Sequence, residues 1–167
     1  MSQVNGVMVG TVKDVSDPAG EGRVKVHFPW MGGQSDSQWA AVASPMAGDG
    51  RGVFFMPELE DEVLVAFDHG DPNQPVVLGF MWSGRDKPPS TSTRERMIKS
   101  KNGHAIRFLD STPTAGDKGA LIIEDAHGNT IILCNGKIVI KSTAVLELRA
   151  PTVTINGRVV SPNANPI

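Results

Sequence analysis

The sequence has four imidazoles that could carry acid–base or metal chemistry, at His27, His69, His104 and His127. None of them forms an HExxH pair, which would set two imidazoles on one helix face for zinc. None lies in a recognisable nucleophile motif with a serine or cysteine. The sequence therefore predicts no catalytic residue and no bound metal.

Two acidic pairs, Glu58 with Glu60 and Asp61 with Glu62, are the other candidates for chemistry. Hydrolytic carboxylates need a fixed separation across a substrate, whereas pairs beside turns are usually solvated. The single cysteine, Cys134, excludes an internal disulfide, and its apolar run predicts a small buried hydrophobe. We therefore expect no enzyme and no cofactor.

Composition favours an all-β protein. The 167 residues include 18 Gly and 12 Pro, and Tyr is absent. Frequent turn residues between short β-branched runs are typical of β architecture. The formal net charge of −2 lacks the basic excess of a nucleic-acid binder. No leader-like N-terminus and no long apolar run is apparent, so we expect synthesis in a bacterial cytoplasm without a signal peptide.

The first half of the chain reads as five short strands. The segments are 6–15, 23–28, 39–43, 62–67 and 76–80. Turn residues at 17–20 and 71–75 separate some of them, because Pro presets φ and Gly accepts positive φ. Five such strands fit a closed barrel of the OB type, and by pattern alone a sandwich fits nearly as well. We assign residues 1–83 to this domain and the polar, Pro-rich residues 84–96 to a linker.

The second half, 97–160, repeats itself. Residues 103–110 echo residues 128–135, and 137–141 align with 145–149 and then with 153–157 at a spacing of eight. Each unit reads as a short strand and a turn, which is typical of stacked β architecture. The tail from Val153 loses the strand pattern, and 161–167 are assigned to a C-terminal tip segment.

An apolar stripe runs along these repeats. Ile138, Ile140, Leu146 and Leu148 share one side, since alternate residues of a strand face the same way. A single narrow ribbon with this stripe would be only marginally stable and prone to aggregation. The stripe therefore predicts an oligomer, without fixing the number of copies.

Four motifs in order carry a family resemblance. They are GRVKVHFPWM at 22–31, WAAVASPMAG with GRG at 39–52, FMPE with DEVLVAF at 55–67, and GDPNQPVVLG at 70–79. They resemble the OB domain of phage baseplate assembly protein V and VgrG-type central spikes, and the likeness continues loosely through 98–104. The family commonly has Gly at the position of Glu60, which puts that turn in doubt.

The resemblance implies an N-terminal OB barrel followed by an intertwined trimeric β-helix needle. It implies a barrel signature and a trimer core. The signature residues are Arg23, Phe28, Pro29, Trp30, Trp39, Pro45, Gly48, Asp71, Pro72 and Gly79. The trimer core residues are Ile131, Leu133, Ile138, Ile140, Leu146, Leu148, Val153 and Ile155.

The function implied is that of a structural spike of a contractile injection system, which punctures a target envelope as a homotrimer below a baseplate hub. Some relatives hold an iron at the tip with a His-x-His pair, which residues 156–167 lack. A PAAR-type tip protein is therefore the expected partner, with the hub supplied by another chain and only transient membrane contact. An OB module that binds nucleic acid or carbohydrate is the alternative.

Overall fold

The structure is a computed structural model, and it describes residues 4–31, 36–112 and 116–160. The chain divides into two compact units, Met1–Pro88 and Pro89–Ile167. Both consist of strands, with two short 3₁₀ turns at Pro29–Met31 and Asp68–Gly70 in the first unit. The all-β class predicted from composition is confirmed.

The first unit is a closed barrel with strand order β1-β2-β3-β7-β6. Its strands are β1 (Val7–Asp14), β2 (Arg23–His27), β3 (Ala40–Val42), β6 (Glu62–Phe67) and β7 (Pro75–Phe80). Neighbours pair antiparallel, except that β3 and β7 run parallel. All five predicted strands are present, so the OB barrel is confirmed over the sandwich. A separate small hairpin joins β4 (Ala47–Gly48) to β5 (Arg51–Gly52).

The barrel core follows from period-two alternation. Along β2 and β6 every second residue is buried, because side chains of a strand alternate between the interior and the solvent. The buried side chains are Val12, Val24, Val26, Phe28, Ala40, Val63, Val65, Phe67 and Val77. The rings of Phe28 and Phe67 lie 5.5 Å apart at a tilt of 50° and fill the centre.

The second unit contains a five-stranded antiparallel sheet with strand order β12-β11-β10-β9-β8. Its strands are β8 (Glu95–Lys99), β9 (Ala105–Leu109), β10 (Ala120–Glu124), β11 (Thr130–Cys134) and β12 (Lys137–Lys141). The two echoing segments are β9 and β11, each preceded by a glycine with positive φ, Gly103 and Gly128. Within one chain this sheet is a meander. The β-helix remains a prediction, because strands from further copies would be needed to form it.

The eight-residue repeat continues differently from the prediction. Residues 145–149 were expected to form a strand, yet they form none within the chain and lie exposed. In the described part of the chain, no strand lies beside them to form a ladder of backbone hydrogen bonds. The predicted loss of strand pattern from Val153 is wrong for residues 153–160, because β13 (Thr154–Ile155) pairs with β14 (Arg158–Val159) in a hairpin. The predicted tip segment, 161–167, lies outside the described residues.

Candidate functional site

One face of the five-stranded sheet is almost entirely apolar, and we call it the apolar face. Cross-strand pairing places Ile98, Ile106, Ile123, Ile131 and Ile140 in one row across the sheet. A second row contains Arg96, Phe108, Leu121, Leu133 and Ile138. Directly opposed residues of an antiparallel pair share a face, so nine of these ten side chains form one continuous hydrophobic surface.

The apolar face is uncovered in the single chain. Ile138 is 68% exposed and Phe108 is 49% exposed, and even Leu133 near the middle of the sheet is 39% exposed. In this unit only Ala105 and Ile122 are buried hydrophobics among the residues described, and both lie on the opposite face. Soluble monomers rarely expose contiguous apolar surface on this scale, and such surfaces mark interaction sites.

The opposite face carries an ion-paired cluster at one end. Arg107 on β9 reaches Glu95 on β8 at 3.0 Å and Glu124 on β10 at 2.9 Å, so one guanidinium connects three strands. The Ser90 hydroxyl and the Arg107 guanidinium, both hydrogen-bonded to Glu95, hold the pKa of that carboxyl below its usual value. The opposite face therefore combines this partly buried ion-pair cluster with an apolar row of Met97, Ile122, Ile132 and Val139, whereas the apolar face carries a single charge, Arg96.

The structure brings together part of the predicted trimer core. Ile131, Leu133, Ile138 and Ile140 lie side by side on the apolar face. The remaining members fall outside the sheet. Leu146 and Leu148 lie in the exposed segment after β12, and Val153 and Ile155 belong to the terminal hairpin.

The sequence reading missed half of the apolar face. The missed residues are Ile98, Ile106, Phe108, Leu121 and Ile123. The echo between 103–110 and 128–135 contained the signal, since Ile106 and Phe108 occupy the positions of Ile131 and Leu133. Their share in the face became visible only with the strand register.

In the barrel, Arg23 is fixed by a carboxylate that the sequence reading treated only as a turn residue. Asp17 accepts hydrogen bonds from Arg23 Nη2 at 2.8 Å and from its Nε at 3.1 Å. It also accepts three backbone N–H bonds, from Ala19, Glu21 and Arg23. The Arg23 side chain, followed by these N–H groups, holds the pKa of Asp17 far below its usual range. This arrangement locks the loop between β1 and β2.

We expect Asp17→Asn to destabilise the barrel at neutral pH, because an amide cannot accept all five bonds as a charged group. Because the pKa of Asp17 is lower in the folded than in the unfolded protein, this stabilisation is fully present above the unfolded pKa, near 4. It is lost as the pH falls below that value toward the pKa of the folded protein. Thermal melts across pH 2–7 should show the gap between wild type and variant closing in acid. The exposed Asp49→Asn is the control, and a pH-independent gap would contradict the assignment.

The aromatic signature residues divide between core and surface. Phe28 is fully buried, as expected. Trp30 is 47% exposed and contacts the Phe28 ring at 5.7 Å, so it does not belong to the core. Trp39 is half-buried, and the Lys25 ammonium lies 5.1 Å above its ring.

The Pro and Gly signature residues lie in turns and at strand ends. Pro29 opens a 3₁₀ turn after β2, and Pro45 follows β3. Gly48 does not have a positive φ, and a Cβ there would meet the Arg51 guanidinium at 3.0 Å. Gly79 lies in β7, where a Cβ would meet nothing within 4 Å.

The turn at Asp71 and Pro72 is built as expected. Asp71 Oδ1 accepts a bond from the Asn73 backbone N–H at 2.9 Å, and Gln74 N donates to the Asp71 carbonyl. Side-chain acceptors two residues before their donor are the usual mark of such turns. This turn leads directly into β7.

Glu60, the departure from the family pattern, adopts a φ of 72°. Its carboxylate pairs with Lys13 Nζ at 2.7 Å, and its carbonyl accepts a bond from Arg85 Nη2. The Lys13 hydrogen bond lowers the pKa of Glu60. The turn therefore keeps the left-handed conformation that glycine favours, and an exposed ion pair accompanies it.

We expect Glu60→Gly to leave the melting temperature of the barrel unchanged or to raise it by a few degrees. Glycine removes the strain of positive φ, while the exposed ion pair that is lost contributes little. Glu60→Ala is the matched control, because it loses the pair and keeps the strain. Differential scanning calorimetry should rank the Ala variant lowest, and a Gly variant below it would refute this reading.

The histidines are placed apart or in turns. His104 Nδ1 accepts a bond from the Ala126 N–H at 3.3 Å, and the His127 N–H donates to Asp125. In the described part of the chain, no three His, Cys, Asp or Glu side chains are grouped closely enough to hold a metal ion. Over the same residues, no helix is long and apolar enough to cross a membrane.

Comparison with known proteins identifies the type of domain that the barrel represents. Residues 8–82 match the model of the type VI secretion system/phage-baseplate injector OB domain, which covers the barrel strands from within β1 to the end of β7. The barrel, residues 8–82, therefore belongs to the baseplate V/VgrG-type injector OB domains. Its family resemblance, read first from four motifs, is thereby confirmed.

Relatives of the injector family extend the likeness beyond the barrel. The type VI secretion system spike proteins VgrG5 and VgrG4b of Pseudomonas aeruginosa are 34% and 40% identical over alignments of 134 residues that cover 74% of this chain. The actin cross-linking toxin VgrG1 of Vibrio cholerae is 38% identical over 100 residues. The chain spans 16% of the length of the first two and 9% of the third.

Proposed function

We propose that this chain is a structural, non-enzymatic spike of a contractile injection system and works as a homotrimer. The observation that carries the proposal is the apolar face, a continuous hydrophobic surface that one chain leaves in water. At roughly 25 cal/mol per Å² of apolar area buried, covering it in several copies at once is strongly favourable. The number three comes from the likeness to the spike family.

In this assembly the second units of three copies turn their apolar faces toward a common axis and build the needle. The faces with Arg107, Glu95 and Glu124 then lie outside, where the ion pairs remain hydrated. The exposed residues 145–149 continue the same pattern and extend the needle with strands that neighbouring copies complete. A closed assembly also removes the free edges of β8 and β12, which would otherwise template aggregation.

The barrels form a collar that docks on a baseplate hub. The family match over residues 8–82 supports this role for the barrel. The other expected partners are a PAAR-type tip protein at the C-terminal end and, during puncture, the target envelope. The particle is assembled from protein made in the bacterial cytoplasm.

The barrel offers little support for the alternative of nucleic-acid or carbohydrate binding. Lys13, Arg23 and Arg85 are paired with carboxylates, and Lys25 lies over Trp39. Binding of single strands needs a groove of free cations with stacked aromatics. A titration with single-stranded DNA at low salt that showed salt-dependent binding would revive this alternative.

The mass of the purified full chain tests the proposal. Light scattering should give about three times 17.8 kDa, whereas a clean monomer would refute the assembly. A chain truncated after Arg94 keeps the barrel and loses the apolar face, so it should fold and elute as a monomer. A truncated barrel that stays firmly trimeric would show that the second unit is not what holds the copies together.

A further inference from the structure

The barrel has an open groove beside the end of β7, which we call the β7 groove. It has a volume of about 770 Å³ and lies between β7 and the segment that contains the β4–β5 hairpin. Four large apolar side chains line it, those of Phe54, Phe55, Leu78 and Phe80. Phe54 is 80% exposed and Phe55 is 56% exposed. Apolar surface of this kind outside a filled core marks an interaction site.

One side of the β7 groove is a free strand edge. The pairing of β3 with β7 ends at Val42 and Val77, where the Ala43 N–H donates to the Val77 carbonyl at 2.9 Å. β7 continues to Phe80, and among the described residues no strand pairs with this last part on the side of β3. The backbone groups of a free edge pair readily with an added strand. The edge therefore favours an extended polypeptide as the occupant of the groove.

Gly79 keeps this edge accessible. Its φ is not positive, and a Cβ there would meet nothing within 4 Å, so neither its backbone nor its neighbours require glycine. Glycine weakens a strand interior, and it often marks a place where another backbone approaches closely. The preceding residue, Leu78, is the extra residue of a bulge opposite Leu64 and Val65, and it is exposed. β7 therefore leaves room for a second backbone at its free edge.

The opposite wall of the β7 groove is held in place by hydrogen bonds. The Val53 N–H donates to the Met46 carbonyl at 2.9 Å, and the Ser44 hydroxyl donates to the Val53 carbonyl at 2.5 Å. These bonds fix the point at which Phe54 and Phe55 leave the hairpin. Because the wall is already formed, little conformational entropy would be lost when a segment enters the groove.

The charge of the barrel favours a basic partner over a second copy of this chain. The unit Met1–Pro88 has 12 acidic residues against 6 basic ones. The two charged residues that line the groove, Glu21 and Arg51, offset each other, so the field there is that of the surrounding barrel. Two barrels placed face to face would bring like charges together, whereas a segment with basic side chains would be attracted.

We propose that the β7 groove binds an extended segment of another protein, in which hydrophobic residues alternate with basic ones, as an added strand on β7. Successive side chains of a strand point to opposite faces. The hydrophobic ones would pack against Phe54, Phe55 and Leu78, and the basic ones would face the acidic surroundings. The proposal concerns the barrel alone, so it goes beyond the proposed trimer and does not depend on it.

A labelled peptide tests the groove on the intact full-length protein. The probe is a capped, fluorescein-labelled heptapeptide of alternating valine and lysine, and fluorescence anisotropy should show saturable binding. Gly79→Val should weaken binding at least about tenfold, because its side chain occupies the space beside the free edge. The same variant should melt no lower than the wild type, since valine favours strands.

Gly84→Val is the matched control variant. Gly84 also lacks a positive φ, a Cβ there also meets nothing within 4 Å, and it does not line the groove. It should change the affinity less than about twofold. A probe with every interior backbone nitrogen methylated has the same charge and side chains but no donors for the strand edge, and it should not bind.

Three results would overturn the proposal. They are the absence of saturable binding to the wild type, undiminished binding to Gly79→Val, and equal binding of the methylated probe, which would show attraction by charge alone. The mass of the wild-type protein decides the proposed function separately. A monomer that binds the probe would refute the trimer and support the groove, so the two failures are distinguishable.

Discussion

Ile138→Lys should convert the proposed trimer to monomers at micromolar concentration. The substitution places three ammonium groups inside the proposed needle, and an uncompensated buried charge costs about 3–5 kcal/mol. The monomer tolerates the change, because Ile138 lies on the exposed edge strand β12. Light scattering measures the mass, and circular dichroism checks that the barrel persists.

Val139→Lys is the control for the opposite face, and because Val139 is half-buried, circular dichroism must also show that this variant keeps its strands. Val139 is the next residue of the same strand and pairs with Ile132 on the opposite face. The same charge should leave the mass trimeric there. Equal dissociation of both variants would show that the apolar face has no special part in assembly.

Gly119→Ala should disrupt the sheet of the second unit more than alanine at any other described glycine of that unit. A Cβ at Gly119 would lie 1.7 Å from the Leu109 carbonyl oxygen, and φ there is +80°. The backbone must move where β9 pairs with β10, beside the Leu109–Ala120 pair. We expect the free energy of unfolding to fall by more than the roughly 1–2 kcal/mol that positive φ alone costs an L-residue.

Gly136→Ala separates the cost of positive φ from the cost of the clash with the Leu109 carbonyl. Gly136 has a φ of +74°, and a Cβ there would meet nothing within 4 Å. It should therefore show only the cost of positive φ. Urea unfolding of the full-length protein compares the two variants, and equal losses would show that the close approach to Leu109 relaxes freely.

The barrel could be predicted from sequence because its information is local. Segments such as 23–28 and 62–67 alternate with period two, and the observed strands differ from the predicted ones by few residues. The clamp of Asp17 on Arg23 was not predictable in this way. It depends on the path of a loop that brings a carboxylate to five donors, and no spacing rule specifies that path.

The second unit could be predicted only in part. The repeats at 103–110 and 128–135 indicated strands, but the extent of the apolar face depended on a register that the turns set. The Asn156-Gly157 pair is typical of a two-residue hairpin turn, whereas the eight-residue period predicts a continuing repeat at the same place. The absence of a strand at 145–149 has another cause, since a strand needs a partner and the described residues of one chain supply none.

The near absence of a core in the second unit has a consequence for biogenesis. With Ala105 and Ile122 as its buried hydrophobics in the described residues, this unit gains little by folding alone. In the proposed trimer its folding would be coupled to association, so its stability would rise with protein concentration. Newly made chains would carry a finished barrel and an unfinished second unit until three of them meet. Encounter between chains, and not synthesis, would then control how quickly rigid spikes accumulate.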